Sequence, residues 1–118
     1  MATFDASRDS IRDVARKVYS HGRIGAGFTS ATWIKADGRP QPQAPGALRV
    51  MPLETAAVAG RSVPIRWRVQ LPEKEVDVTT RALNPQAWMD TRFPYWEGPI
   101  RFEGSHAGRG YLEMTGYE

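Results

Sequence analysis

The stretch from residue 92 to residue 117, RFPYWEGPIRFEGSHAGRGYLEMTGY, indicates two strands joined by a glycine-rich turn. Six aromatic residues lie in it, in a chain that has only 4 Trp, 4 Tyr and 4 Phe. The glycines of the turn, GSHAGRG at 104–110, can take positive φ angles without steric cost. This aromatic hairpin is typical of a β-rich core.

Alternation along the first of these strands predicts two different faces. The apolar face carries Trp96, Ile100 and Phe102. The opposite face carries Tyr95, Glu97, Arg101 and Glu103. A carboxyl group between aromatic side chains is the most suggestive chemistry in the chain, so the triplet at 95–97 is the first place to look for a site.

Residues 63–71, VPIRWRVQL, show the clearest two-residue alternation of the chain. Their apolar side chains point to one face, while Arg66 and Arg68 point to the other. The short connection that follows predicts an antiparallel partner strand. We expect cross-strand pairing of these arginines with Glu75 and Asp77 on that partner.

Residues 7–19 are predicted to form a helix. Ile11, Val14 and Val18 recur at the spacing of one helical face, a serine can cap the start, and Gly22 can end the helix in a left-handed conformation. The apolar stripe would pack on the body of the domain or on a second copy of the chain.

One helix followed by short, regularly spaced strands predicts an all-β fold. So little helix to cover a flat sheet favours closure into a small antiparallel barrel, with one N-terminal α-helix at its side or end. At 118 residues the chain has the length of one domain with a single core. We divide it into a helix and linker at 1–23 and a barrel domain at 24–118.

Composition narrows the classes of function. Without Cys there are no disulfides, thiolate nucleophiles or cysteine zinc sites, which is compatible with a cytoplasmic location. The net charge of +3 comes from arginines interleaved with acids, which does not favour a nucleic-acid partner. No apolar run reaches the ~20 residues of a membrane span, and the polar N-terminus does not resemble a signal peptide. The only histidines, His21 and His106, have no carboxylate at a ligand-like spacing, so no metal site is predicted.

Four sequence blocks resemble a known family. They are TWI at 32–34, IRWRVQLP at 65–72, YWEG at 95–98 and GRGYLEMTGY at 108–117. Their order and spacing resemble the C-terminal region of the carotenoid 1,2-hydratase (hydroxyneurosporene synthase) family, also called AttH-like.

This resemblance implies a lipocalin-like β-barrel and cofactor-free chemistry on apolar molecules. In the family this chemistry includes hydration of an isoprenoid double bond and intramolecular Diels–Alder cyclisation of polyketides. Members usually consist of two such domains, with the substrate largely between them. A single unit would bind substrate inside its own barrel, use a second copy of itself, or have no such site.

Glu97 is the first candidate for a catalytic residue, as a general acid, with Tyr95 as a hydrogen-bond donor beside it. The alternative is a structural glutamate tied to Arg92 or Arg101. Asp90 is a second candidate acid, and a turn-capping role is its alternative.

Trp33, Trp67 and Trp96 are expected to line a substrate-binding pocket for an apolar molecule, with core packing as the alternative for each. The predicted function is a cofactor-independent enzyme that cyclises an isoprenoid or polyketide-type molecule or hydrates one of its double bonds. A non-catalytic carrier of an apolar ligand, and a partner domain that completes a two-domain protein, are the alternatives, because fold alone does not separate them. A homo-oligomer through the helix or the barrel surface also fits.

Overall fold

The computed structural model describes the backbone of residues 2–6, 9–16, 19–20, 23–24 and 28–117, and the side chains of residues 29–117. These parts of the chain form strands and one short 3-10 turn, Pro72–Lys74. The strands are β1 Ala2–Ala6, β2 Asp9–Arg16, β3 Tyr19–Ser20, β4 Arg23–Ile24, β5 Phe28–Ile34, β6 Pro40–Pro42, β7 Arg49–Val58, β8 Arg61–Leu71, β9 Val76–Ala82, β10 Trp88–Met89, β11 Tyr95–Gly104 and β12 Gly108–Met114.

Almost all of these strands belong to one antiparallel sheet. Their order is β6-β5-β2-β1-β12-β11-β9-β8-β7, with β10 paired beside β11, and β3 and β4 form a separate pair. Short connections produce the hairpins β1–β2, β7–β8, β8–β9 and β11–β12, as expected for antiparallel neighbours. The all-β, antiparallel prediction is confirmed.

The sheet buries one face more than the other, which follows from alternation in β9, in β11 and over residues 67–71 of β8. We call the buried side, which carries Trp96 and Ile100, the inner face, and the side that carries Glu97 and Arg101 the outer face. The predicted alternation of β11 agrees with this burial, and that of residues 63–71 agrees from Trp67 onward, whereas Pro64 is buried and Ile65 is half-buried. The core therefore lies on the inner face, and the charged side chains of these strands lie on the outer one.

The sheet curls until its two ends share that core. Trp33 of β5 belongs to the same buried cluster as Leu71 of β8, although five strands separate them in the sheet order. The Nζ atom of Lys74 donates a hydrogen bond to Oε1 of Gln41 at 2.6 Å and lies 5.5 Å from the centre of the Trp33 ring. The 3-10 turn therefore meets β6 through side chains.

A closed barrel, however, is not found among the described strands, since no backbone pairing joins β6 to β7. Both end strands carry proline, which lacks a backbone donor and suits an edge position. Pro40 and Pro42 lie in β6, and Pro52 of β7 lies at a register shift against β8. The prediction of a barrel is thus confirmed only as far as a curled antiparallel sheet.

The predicted N-terminal helix is wrong. Asp9–Arg16 form β2, which pairs with β1 on one side and β5 on the other. Residues 7–8, 17–18 and 22, including the predicted helix stop, lie outside the described residues. The helical spacing of apolar residues is a weak local preference, and ladders with two neighbouring strands outweigh it. An oligomer through that helix is no longer expected, whereas one through the sheet surface stays a prediction.

Gly104 fixes where β11 meets β9. Its φ angle is +137°, and a Cβ atom there would lie 2.5 Å from the carbonyl oxygen of Asp77. Ser105 continues the contact, because its amide donates to the Asp77 carbonyl at 3.0 Å and its Oγ accepts from the Asp77 amide at 2.7 Å. A glycine is required at this crossing, and it sets the β9–β11 register.

None of the described residues forms a helix long and apolar enough to cross a membrane.

Candidate functional site

The three tryptophans predicted to line a pocket lie inside the core. The exposed fractions of Trp33, Trp67 and Trp96 are 8%, 9% and 0%. The Nε1 atom of Trp96 donates a hydrogen bond to the carbonyl oxygen of Pro85 at 2.8 Å. All three pack against other core residues, as in the core-packing alternative, and their role in ligand binding stays a prediction.

Glu97 and Tyr95 lie on the outer face and are half-buried. The connection between β9 and β10 holds Glu97, since the amide of Glu97 donates to the carbonyl oxygen of Ala87 at 3.0 Å. Gly98 permits this approach, because a Cβ atom there would lie 3.1 Å from the Cβ of Ala87. The structure therefore keeps the two predicted catalytic residues together and places them on the side of the sheet opposite the tryptophans.

Tyr111 and Glu113 of β12 complete a cluster with Tyr95 and Glu97, which we call the tyrosine–glutamate cluster. Glu97 lies directly opposite Glu113, and Tyr111 lies opposite Pro99. A side-chain hydrogen bond with Glu97, together with its charge, raises the pKa of Tyr95. Burial raises the pKa of Tyr111, and the charge of Glu97 and a hydrogen bond with it add to the effect. The Glu97 carboxylate thus acts on the pKa of both phenol groups.

The pairing of Glu97 with Glu113 opposes two like charges on neighbouring strands, which is unfavourable for the sheet. The structural alternative for Glu97 required a nearby arginine. Among the described side chains, neither Arg92 nor Arg101 lies within ion-pair distance of it. Local arrangements that lower stability without a packing reason are typical of functional sites.

Exposed apolar side chains lie in this cluster and next to it in strand pairing or sequence. Met89 of β10 lies opposite Tyr95 and is 36% exposed, Phe93 two residues before Tyr95 is 75% exposed, and Tyr111 is 45% exposed. Grouped exposed apolar side chains of this kind mark contact surfaces for ligands or partners.

The sequence reasoning missed Tyr111 and Glu113, although a signal for them was present. Alternation in GRGYLEM at 108–114 places these two residues and Arg109 on one face. Once the middle of the β11–β12 turn is located, the hairpin register follows. It places Tyr111 opposite Pro99, Glu113 opposite Glu97 and Arg109 opposite Arg101.

The other candidates do not join this cluster. Asp90 is exposed in the connection between β10 and β11, and His21 lies outside the described residues. His106 Nδ1 lies 2.9 Å from Oγ of Ser105, which also binds the backbone of Asp77. Within the described part of the chain, no group of three His, Cys, Asp or Glu side chains could hold a metal ion.

A groove lies farther along the outer face, with a volume of about 730 Å³. Four arginines, one from each of β8, β9, β11 and β12, line it together with Glu103: Arg66, Arg81, Arg101 and Arg109. Pro99 and Tyr111 occupy the pairing position between this groove and the glutamates. The outer face therefore has an acidic, phenolic end and a basic end.

These features define a class of protein: a curled antiparallel β-sheet with a tryptophan-rich inner face and a polar outer face that carries charged clusters. Residues 18–117 match the family model described as AttH-like, so the chain belongs to the AttH-like family. The resemblance seen in the sequence blocks is confirmed, and the family indicates a lipocalin-like fold. The boundary of the barrel domain at residue 24 stays a prediction.

A crystal structure of a candidate AttH protein from Nitrosomonas europaea has the same fold, with a TM-score of 0.79 and 24% sequence identity. The match covers 99% of this chain and 38% of that one, so this chain spans well under half the length of the similar protein. No curated protein matches the chain.

Proposed function

We propose that this chain binds an apolar small molecule against the tyrosine–glutamate cluster and promotes a cofactor-independent reaction on it, either hydration of a double bond or cyclisation. The observation that carries the proposal is the position of Glu97 beside Tyr95 on the outer face, with Tyr111 and Glu113 on the neighbouring strand β12. The charge of Glu97 raises the pKa of both tyrosines. Membership of the AttH-like family supports the chemical class.

The two phenols suit a role as hydrogen-bond donors. Their raised pKa values keep both hydroxyls protonated at neutral pH. A protonated phenol can donate to a substrate oxygen and stabilise negative charge that develops there during cyclisation. Glu97 lies on the same face as both tyrosines, so its carboxyl group is placed to supply or remove the proton that hydration requires.

The surroundings suit an apolar substrate only in part. Met89 and Phe93 offer exposed apolar surface near the cluster. The cluster is nevertheless open to water, because Tyr111 is exposed and its other members are only half-buried. Exclusion of water strengthens such electrostatic effects. We therefore propose that a second lipocalin-like domain covers the site during the reaction, consistent with the longer chain of the similar structure.

Ligand binding can be tested by nuclear magnetic resonance, with isotope-labelled tyrosine, methionine and tryptophan and with retinol as the isoprenoid probe. We expect retinol to shift the signals of Tyr95, Tyr111 and Met89 and to leave the buried indole N–H signals unchanged. Shifts confined to the indoles would instead indicate a carrier that binds ligand in its core, and no shift at any of these signals would contradict the proposal.

The reaction can be tested by mass spectrometry of farnesol incubated with the protein. Hydration adds the mass of one water molecule, whereas cyclisation gives an isomer of unchanged mass. Glu97→Gln should abolish either product and keep the fold. Glu103→Gln, on the same strand and face but outside the cluster, is the matched control and should keep the product. Equal product from both variants would remove Glu97 from the mechanism.

A second candidate function is a non-catalytic partner domain, and a specific observation favours it. The inner face is filled by its own side chains, with Trp96, Leu48 and Leu71 at no more than 1% exposure. A sheet filled in this way resembles a structural half more than a ligand container. Absence of both retinol-induced shifts and farnesol product, with the fold intact, would favour this candidate.

A further inference from the structure

Three arginines form a straight row across the outer face. Arg101 of β11 lies opposite Arg81 of β9 on one side and opposite Arg109 of β12 on the other. Arg66 of β8 lines the same groove beyond Arg81. We call Arg81, Arg101 and Arg109 the arginine row; with neighbouring strands about 4.8 Å apart, it extends over about 10 Å.

This arrangement is unfavourable for the sheet itself. Like charges directly opposite each other on neighbouring strands repel, and the row contains two such pairs in succession. Among the described side chains, none of the three arginines has an ion-pair partner within 4.0 Å. A guanidinium group keeps its positive charge at all relevant pH values, so protonation cannot relieve the repulsion. A bound anion can.

The groove around the row contains few acidic groups. Glu103 is its one acidic lining residue, beside Thr79, Thr80 and the backbone of the β11–β12 turn. At the far end of the row, β1 brings Asp5 to the pairing position of Arg109. Arg101 at the centre has arginine at both pairing positions. We therefore expect the positive potential of the groove to be greatest at Arg101.

We propose that the arginine row binds the diphosphate group of a small molecule. Guanidinium groups match phosphate oxygens with paired hydrogen bonds. One carboxylate or one phosphate reaches one or two guanidinium groups, whereas a diphosphate is long enough to engage arginines on neighbouring strands. A row of about 10 Å is too short to follow a nucleic-acid backbone over many phosphates, and acidic residues lie along the rest of the outer face. This site is separate from the tyrosine–glutamate cluster and does not depend on the proposed function.

Isothermal titration calorimetry with inorganic diphosphate tests the proposal on the intact chain. We expect saturable binding with one diphosphate per chain, and weaker binding of inorganic phosphate. Arg101→Gln removes the central donor and should raise the Kd by about tenfold or more. Arg39→Gln is the matched control, because it removes the same charge from an exposed turn where Arg39 pairs with Asp37; it should leave the Kd unchanged.

Four outcomes would overturn the assignment. They are absence of diphosphate binding up to about 1 mM, equal affinity for phosphate and diphosphate, equal loss in Arg39→Gln and Arg101→Gln, and tighter binding of a short single-stranded oligonucleotide than of diphosphate. The last would assign the row to nucleic acid. Glu97→Gln should leave diphosphate binding unchanged, which keeps this test separate from the test of the proposed reaction.

Discussion

Arg68 and Arg101 lie on the same outer face of the sheet, yet their surroundings are opposite. Arg68 donates from Nε and Nη2 to the two carboxylate oxygens of Asp77, at 3.0 and 2.7 Å. Arg101 lies between Arg81 and Arg109. Arg68 is held by a partner within the fold, as the sequence predicted for it, whereas Arg101 lacks such a partner among the described side chains.

The contrast separates a structural arginine from a ligand-binding one. The hydrogen bond with Arg68 lowers the pKa of Asp77, and the hydrogen bond with Asp77 raises the pKa of Arg68, so each charge stabilises the other. The same face carries Glu97 opposite Glu113. An exchange of Glu97 and Arg101 on β11 would have produced pairs of opposite charge, so the actual placement is not the most favourable one for the sheet.

The largest expected effect comes from breaking the register on which the row depends. Gly104→Ala would place Cβ 2.5 Å from the Asp77 carbonyl oxygen at a φ angle of +137°. We expect a loss of roughly 1–3 kcal/mol in the free energy of unfolding, measured by urea denaturation, together with loss of diphosphate binding.

Gly116→Ala is the control for this change. Gly116 also has a positive φ angle, +87°, but a Cβ atom there would meet nothing within 4 Å. It should cost less than Gly104→Ala. An equal cost in the two variants would mean that the contact between β11 and β9 does not matter and that the register has another origin.

The next effect comes from reversing the charges in the two settings. Arg101→Glu places a carboxylate between Arg81 and Arg109, which should stabilise the fold by roughly 0.2–1 kcal/mol for each new pair and abolish diphosphate binding. Arg68→Glu places a like charge diagonally across from Asp77 and should destabilise the fold. Thermal unfolding of the two variants should therefore change in opposite directions. The contrast between the two arginines is wrong if both variants lose stability.

Local patterns allowed much of the fold to be predicted, because burial follows alternation within one strand. The faces of β8 and β11, and so the outer position of Glu97 and Arg68, needed only a period of two. The helix prediction failed at Asp9–Arg16 because pairing with β1 and β5 is a non-local effect. Whether the sheet closes likewise depends on a non-local effect, the relative position of its two edge strands β6 and β7, which carry proline.

The arginine row could not be predicted from local patterns either, because it depends on non-local strand pairing. Arg81 and Arg101 are separated by the whole connection between β9 and β11, and their register is set by the contact of Gly104 with Asp77. No period within either strand reveals it. Tyr111, in contrast, follows from one hairpin register and was within reach.

A smaller effect is expected from pH, through Asp77. Because its pKa is lowered below the usual 3.8, its contribution to stability is present above that value and is lost as the pH falls through the folded pKa. Arg68→Gln should thus lower stability at neutral pH, and its difference from the unmodified protein should shrink at a pH below 3.8. Urea denaturation at both pH values measures this. A difference that stays constant with pH would show that the Arg68–Asp77 pair does not stabilise the fold through charge.

The smallest effect tests the acidic end of the outer face. Since the hydrogen bond and the charge of Glu97 are the main causes of the raised pKa of Tyr95, Glu97→Gln should lower that pKa, as followed by the ultraviolet absorbance of the phenolate. Tyr111 should change less, because burial is the main cause of its raised pKa. Glu113→Gln is the control, since Glu113 acts on both tyrosines only as a smaller, charge-based cause. If Glu113→Gln lowered the pKa of Tyr95 more than Glu97→Gln did, Glu113 would be the main acceptor of the cluster, and the proton-transfer role would move from β11 to β12.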